Sequence, residues 1–146
     1  MQRILFVDPD HGARSQMAEA IFRRAVNLSR GAGASRYHVA SAGTDPVGSL
    51  DAVAEVLREI YIDDFMPTRR ALETALDPPP DLLIILCEES CGSCPYVPGA
   101  RRAARWPQPD PDRVPIEERA AVLRRIRGDL VLRVAALINL PPSMPA

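Results

Sequence analysis

Two stretches of the chain hold reactive residue types at close spacing. The first is Asp8-Pro9-Asp10-His11-Gly12-Ala13-Arg14-Ser15. It brings two carboxylates, an imidazole, a guanidinium and a hydroxyl together. Such a group supports three chemistries. Asp8 can act as a nucleophile. Asp8 and Asp10 can hold Mg²⁺, which would admit a phosphate. Or Asp8 caps the loop and pairs with Arg14, a common arrangement at helix starts. The second stretch runs from Cys87 to Cys94 and contains all three cysteines, Cys87, Cys91 and Cys94. Thiols this close suit redox chemistry or metal binding, or they are inert.

The rest of the composition narrows the choice. The chain has 146 residues and a formal net charge of −1, the size of one domain. Its 47% hydrophobic and 25% charged residues are those of a globular domain that buries its own core. Near-zero net charge argues against a nucleic-acid partner. No apolar run approaches a membrane span, and the four-residue run Ile4–Val7 is too short for a secretory signal. Three clustered cysteines fit a reducing compartment, so the expected location is cytoplasmic. All 18 basic residues are arginine, which excludes any mechanism needing a lysine amine.

The elements that must position these residues follow from periodicity. Ile4-Leu5-Phe6-Val7 reads as a buried strand ending at Asp8. A tight loop follows. A helix is then expected from Arg14 or Ser15, with Ser15 as its cap and Met17, Ala18, Ile21, Phe22 and Ala25 on one face. Tyr37–Ala40 reads as a second strand, and Ser41–Pro46 as a loop. Leu50–Ile60 is helical, Thr68–Leu76 a shorter helix, and Leu82–Leu86 a central strand apolar on both faces. Pro95–Pro111 reads as mostly loop, and Arg101, Arg102 and Arg105 as a solvated helix face. Glu117–Ile138 is a long helix with Leu123, Ile126, Leu130, Val134 and Leu137 as its stripe. His38 sits in a strand and reads as structural. Strands alternating with helices predict an α/β domain over residues 1–139 and a proline-rich tail over 140–146.

Four ordered motifs resemble one superfamily, the low-molecular-weight protein tyrosine phosphatases, and most closely its thioredoxin-coupled arsenate reductase branch. Arg14-Ser15-Gln16-Met17-Ala18-Glu19-Ala20 looks like that branch's helix start. Ser41-Ala42-Gly43-Thr44 resembles its SAGT segment. Cys87 and Cys94, followed by Pro95, are separated like its relay cysteines. Trp106 and Asp110-Pro111 are similar to its tryptophan and general-acid loop. The resemblance spans Ile4 to Leu137. It implies a four-stranded parallel sheet in the order 2-1-3-4, flanked by helices. It also implies an anion loop over Asp8–Ser15, catalytic positions at Asp8, Arg14 and Asp110, and a Cys87–Cys94 redox pair served by a thioredoxin-like reductant. A Cys91–Cys94 pair is equally open. The spacing Cys-x3-Cys-x2-Cys also matches the cluster motif of radical S-adenosylmethionine enzymes, whose barrel needs a longer chain. Zinc would need His11 as a fourth ligand.

The signature loop of the superfamily is a cysteine, five residues and an arginine. Here Arg14 is in place, but Asp8 occupies the cysteine position. Pro9 supplies no N–H, Asp10 adds a second carboxylate, and His11 stands where an asparagine is usual. A carboxylate about 4 Å from a single negative charge costs roughly 4 kcal/mol at an effective dielectric of 20, about three decades of affinity. The expectation is therefore a pseudoenzyme of this family. It would have no cofactor and no cysteine-dependent turnover, and would act by binding a protein partner or by redox sensing. Two alternatives stand beside it. One is a metal-dependent phosphatase using Asp8, Asp10 and Mg²⁺, since a strand ending in Asp-x-Asp resembles haloacid-dehalogenase-like phosphatases. Those enzymes rely on a lysine, which this chain lacks. The other is a genuine phosphatase or arsenate reductase working by chemistry these residues do not reveal. Without a nucleophile, Asp110-Pro111 reads as a turn.

Overall fold

In the computed structural model the described residues are 1–9, 12–28, 36–43, 50–88 and 99–139. Ile4, Leu5, Phe6 and Val7 are apolar and alternate between the two faces of a strand. They form the middle of β1 (Gln2–Asp8). Ile4 and Phe6 join the larger core with Met17, Phe22 and Leu130, while Leu5 and Val7 pack with Ala42, Leu72 and Leu83 on the opposite face. β1 is thus covered on both sides, as a central parallel strand must be.

The other elements are α1 (Ala13–Leu28), β2 (Tyr37–Gly43), α2 (Asp51–Arg58), α3 (Leu72–Ala75), β3 (Leu82–Ile85), β4 (Arg102–Arg105) and α4 (Arg119–Asn139). The sheet is four-stranded in the order β2-β1-β3-β4, and every neighbouring pair is parallel. This is the expected 2-1-3-4 architecture. α1 and α4 cover one face, where Phe6 meets Phe22 at 6.0 Å and Trp106 at 5.8 Å between ring centroids. Leu123, Ile126, Leu130 and Val134 are buried along α4, as its stripe predicts.

Several boundaries differ from the sequence reading, each for a tertiary reason. β2 runs on through Ser41, Ala42 and Gly43, because β1 keeps pairing as far as Asp8 beside Gly43. The third helix is only Leu72–Ala75. Thr68 is instead held in both directions by the Gln16 amide, at 2.7 and 3.0 Å, and the Arg70 carbonyl accepts from Gly43 N at 3.1 Å. α2 stops at Arg58 in a terminal turn where Tyr61 N donates to the Arg58 carbonyl and Ile62 N to that of Leu57.

The largest correction is β4. Arg-Ala-Ala-Arg carries no apolar signal, yet it pairs with β3, Leu82 beside Arg102 through Ile85 beside Arg105. Arg102 and Arg105 therefore lie on an edge strand and not on a helix face, and Arg101 immediately precedes it. Charged side chains on an edge also discourage pairing with other chains. The proline-rich tail lies outside the described residues.

Candidate functional site

The C-terminal ends of β1 and β3 and the N-terminus of α1 meet at one place. Ligands bind at this end of parallel sheets. Asp8, the last residue of β1, is fully buried there. Its carboxylate accepts from Gly12 N at 3.2 Å, from Ser15 N at 2.9 Å and from the Ser15 hydroxyl at 2.9 Å. Arg14 Nε lies 4.0 Å from Asp8 Oδ2. A carboxylate thus sits among main-chain N–H groups, a hydroxyl and a guanidinium at a helix N-terminus, the surroundings that favour an anion.

This arrangement corrects the reading of Ser15. α1 begins at Ala13, so Ser15 is its third residue and not its cap. The first-turn N–H of Ser15 finds its acceptor across the loop, on Asp8. The reason is geometric, since the strand end and the helix start converge on one point.

Arg14 is itself buried, and its Nη1 donates to the Gln108 carbonyl at 3.4 Å. Gln108 is anchored in turn. Its amide nitrogen donates to Asp129 Oδ2 at 2.5 Å, and Arg133 Nε reaches the same oxygen at 2.8 Å. Arg133 also lies over Trp106, 5.9 Å from the ring centroid, a cation–π distance. The loop after β4 is therefore fastened to α4 and presents a carbonyl to the site arginine. Sequence reading missed Gln16, Gln108 and Asp129. Only the four-residue spacing of Asp129 and Arg133 hints at one of these contacts.

Asp110 occupies its own turn. Its Oδ1 accepts from Asp112 N at 2.9 Å, and Arg113 Nε is 3.8 Å from Oδ2. It caps the 3-10 turn Pro111–Arg113. Pro9 follows Asp8 directly in a turn, and Ala13 opens α1. Asp10 and His11 lie outside the described residues.

Cys87 is fully buried and disulfide-bonded just beyond β3. Its carbonyl accepts from Arg105 Nη2 at 3.1 Å. Cys91 and Cys94 lie outside the described residues. Among the described residues no cluster of three or more His, Cys, Asp or Glu side chains is placed to hold a metal ion. None of the described helices is long and apolar enough to cross a membrane.

Comparison with known proteins bears on the family and the fold. Residues 3–126 match the low molecular weight phosphotyrosine protein phosphatase family. The chain is 26% identical over 129 residues to an arsenate reductase of Bacillus subtilis, a match covering 87% of this chain and 88% of that one. A solved arsenate reductase in its oxidized state superposes with a TM-score of 0.73 at 26% identity, over 94% of this chain and 97% of the other. A thioredoxin-dependent arsenate reductase of Corynebacterium glutamicum shares the fold, with a TM-score of 0.62 at 24% identity, over 94% of this chain and 62% of the other.

Proposed function

Because the chain belongs to the low molecular weight phosphotyrosine protein phosphatase family, we propose that it is a member without thiol-dependent phosphatase or arsenate reductase turnover, acting by binding or by redox sensing. One observation carries this reading. The Asp8 carboxylate accepts from Gly12 and Ser15 and lies 4.0 Å from the Arg14 guanidinium, groups that would otherwise receive an oxyanion. A second negative charge in that cradle would be repelled by the Asp8 carboxylate. Position 8 also offers no thiolate to attack phosphorus or arsenic.

The redox arm rests on Cys87. Reducing its disulfide takes two electrons and two protons from the dithiol of a thioredoxin-like reductant, which becomes a disulfide itself. A protein of the same fold, from Corynebacterium glutamicum, is described as a thioredoxin-dependent arsenate reductase.

The test is p-nitrophenyl phosphate hydrolysis by purified, reduced protein, with Mg²⁺ and then with EDTA. The expected result is no turnover in either. Turnover only with Mg²⁺ would overturn the reading in favour of a metal site at Asp8 and Asp10. That site would require Asp8 to exchange its N–H and O–H donors for a cation. Turnover surviving EDTA would mean a metal-free nucleophile elsewhere in the loop. Arsenate reduction coupled to thioredoxin, assayed in parallel, is also expected to be absent.

A further inference from the structure

Ala20, Arg23, Arg24, Asn27 and Leu28 recur along α1 at spacings of three and four, so they share one face of the helix. Segment 61–70 runs beside that face, and between the two lies a cavity of about 560 Å³. Buried Ile62 lines it from within. Leu28, Tyr61 and Met66 line it at the surface, 69%, 82% and 77% exposed. Large apolar side chains left singly in water are ordinary, but three around one groove mark an interaction surface.

Tyr61 adds a second sign. Its φ of 66° is a left-handed conformation in which a Cβ is penalised and glycine is the usual residue. The turn thus holds a strained residue whose side chain packs little against its own chain. Strain of that kind points to a contact made elsewhere, and tyrosine is a common anchor of protein interfaces. The charges around the groove indicate what makes that contact. Arg23 and Arg70 share Glu19 at 3.5 and 3.7 Å and donate to the Val39 and Ser41 carbonyls of β2. Those three charges are engaged and are left out of the count. There remain Arg24 on the α1 wall, which donates through Nη1 to the Ile60 carbonyl, and Asp63 and Asp64 on the other wall. Both aspartates are exposed, and among the described residues no hydrogen bond or ion pair engages them. One wall is basic and the other acidic.

We propose that a second copy of this chain docks in the groove, giving a two-fold homodimer. A two-fold axis sets a patch against itself, so the patch must carry its own complement. This one does. Arg24 of each copy faces Asp63 and Asp64 of the other, across a centre made of Leu28, Tyr61 and Met66. The apolar centre supplies the attraction, and the opposite charges fix the register. A purely acidic or purely basic partner would meet a like charge on one of the two walls. None of these residues belongs to the Asp8 loop, whose reading the dimer neither needs nor tests.

Sedimentation velocity of the full chain from about 1 μM to about 1 mM should show a reversible monomer–dimer equilibrium. Non-reducing denaturing gels set aside any disulfide-linked chains. Added salt should weaken the dimer, since its charge pairs lie at an exposed rim. Tyr61→Gly keeps the fold, because glycine suits that backbone, and should weaken the dimer about tenfold or more. Asp63→Arg combined with Asp64→Arg changes only exposed positions and should do the same, by setting like charges opposite one another. Arg24→Glu alone should also fail to pair. Mixed with the double variant it should restore a dimer, because each chain then meets opposite charge. Circular dichroism checks that every variant is folded. Three results would overturn the dimer. The first is a monomer at every concentration, which leaves the groove to another occupant such as a peptide. The second is association unchanged in Tyr61→Gly or in the double variant. The third is no recovery when folded Arg24→Glu is mixed with the double variant.

Discussion

Ser15 donates twice to Asp8, through its backbone N–H to Oδ2 and its hydroxyl to Oδ1, each at 2.9 Å. The helix start is thus tied to the strand end by the Asp8 side chain. Ser15→Ala removes the hydroxyl donor from a buried carboxylate. It should cost about 2 kcal/mol in unfolding free energy, as hydrogen bonds to charged groups do. Urea unfolding checks this. A change under 0.5 kcal/mol would mean that the hydroxyl contributes little there.

Asp8→Cys should restore little p-nitrophenyl phosphate hydrolysis. The new thiol would stand at the end of β1, but Pro9 still lacks an N–H, and the loop sequence still carries a second acidic residue, Asp10. Vigorous turnover in this single variant would show the rest of the loop to be competent.

Glu59 predicts a pH effect on stability. Hydrogen bonds from Arg124 and Arg127 hold its carboxyl at about 2, down from 4.5. A depressed folded-state value means that the unfolded chain takes up the proton first as pH falls. The Glu59 contribution is therefore complete above about 4.5 and lost as pH falls from there through about 2. Urea midpoints measured across that range should decline less in Glu59→Gln than in the parent chain. High salt should shrink the difference, because the pair is solvent-exposed.

Tyr61 sits at a φ of 66° with 82% of its surface exposed, at the left-handed position that ends α2. Glycine is the usual residue there, since a Cβ costs roughly 1–2 kcal/mol in that conformation. Glycine also loses more backbone freedom on folding, roughly 0.5–1 kcal/mol. Tyr61→Gly should therefore stabilise the protein by about 0.5–1 kcal/mol. A lowered thermal midpoint would count against this account of the turn.

Much of the fold was readable from the chain itself. The apolar runs Ile4–Val7 and Leu82–Leu86 and the stripe Leu123, Ile126, Leu130 and Val134 specify covered strands and a packed helix. Burial of apolar surface drives those elements, and it leaves a periodic trace in sequence. That residue 8 is an aspartate was equally plain, because residue identity needs no coordinates.

Tertiary structure alone decided the rest. β4 is a strand because the edge of β3 offers it hydrogen bonds, although Arg-Ala-Ala-Arg has little apolar content. Ser15 serves Asp8 and does not cap its own helix, because β1 and α1 converge. Gln108 reaches Arg14 across 94 positions of sequence through a main-chain carbonyl, which any residue type supplies. The cations around β2 meet only when strand, helix and the segment before α3 are assembled. Hydrogen bonds and charges act over a few ångströms in space, and the distance along the chain carries no record of them.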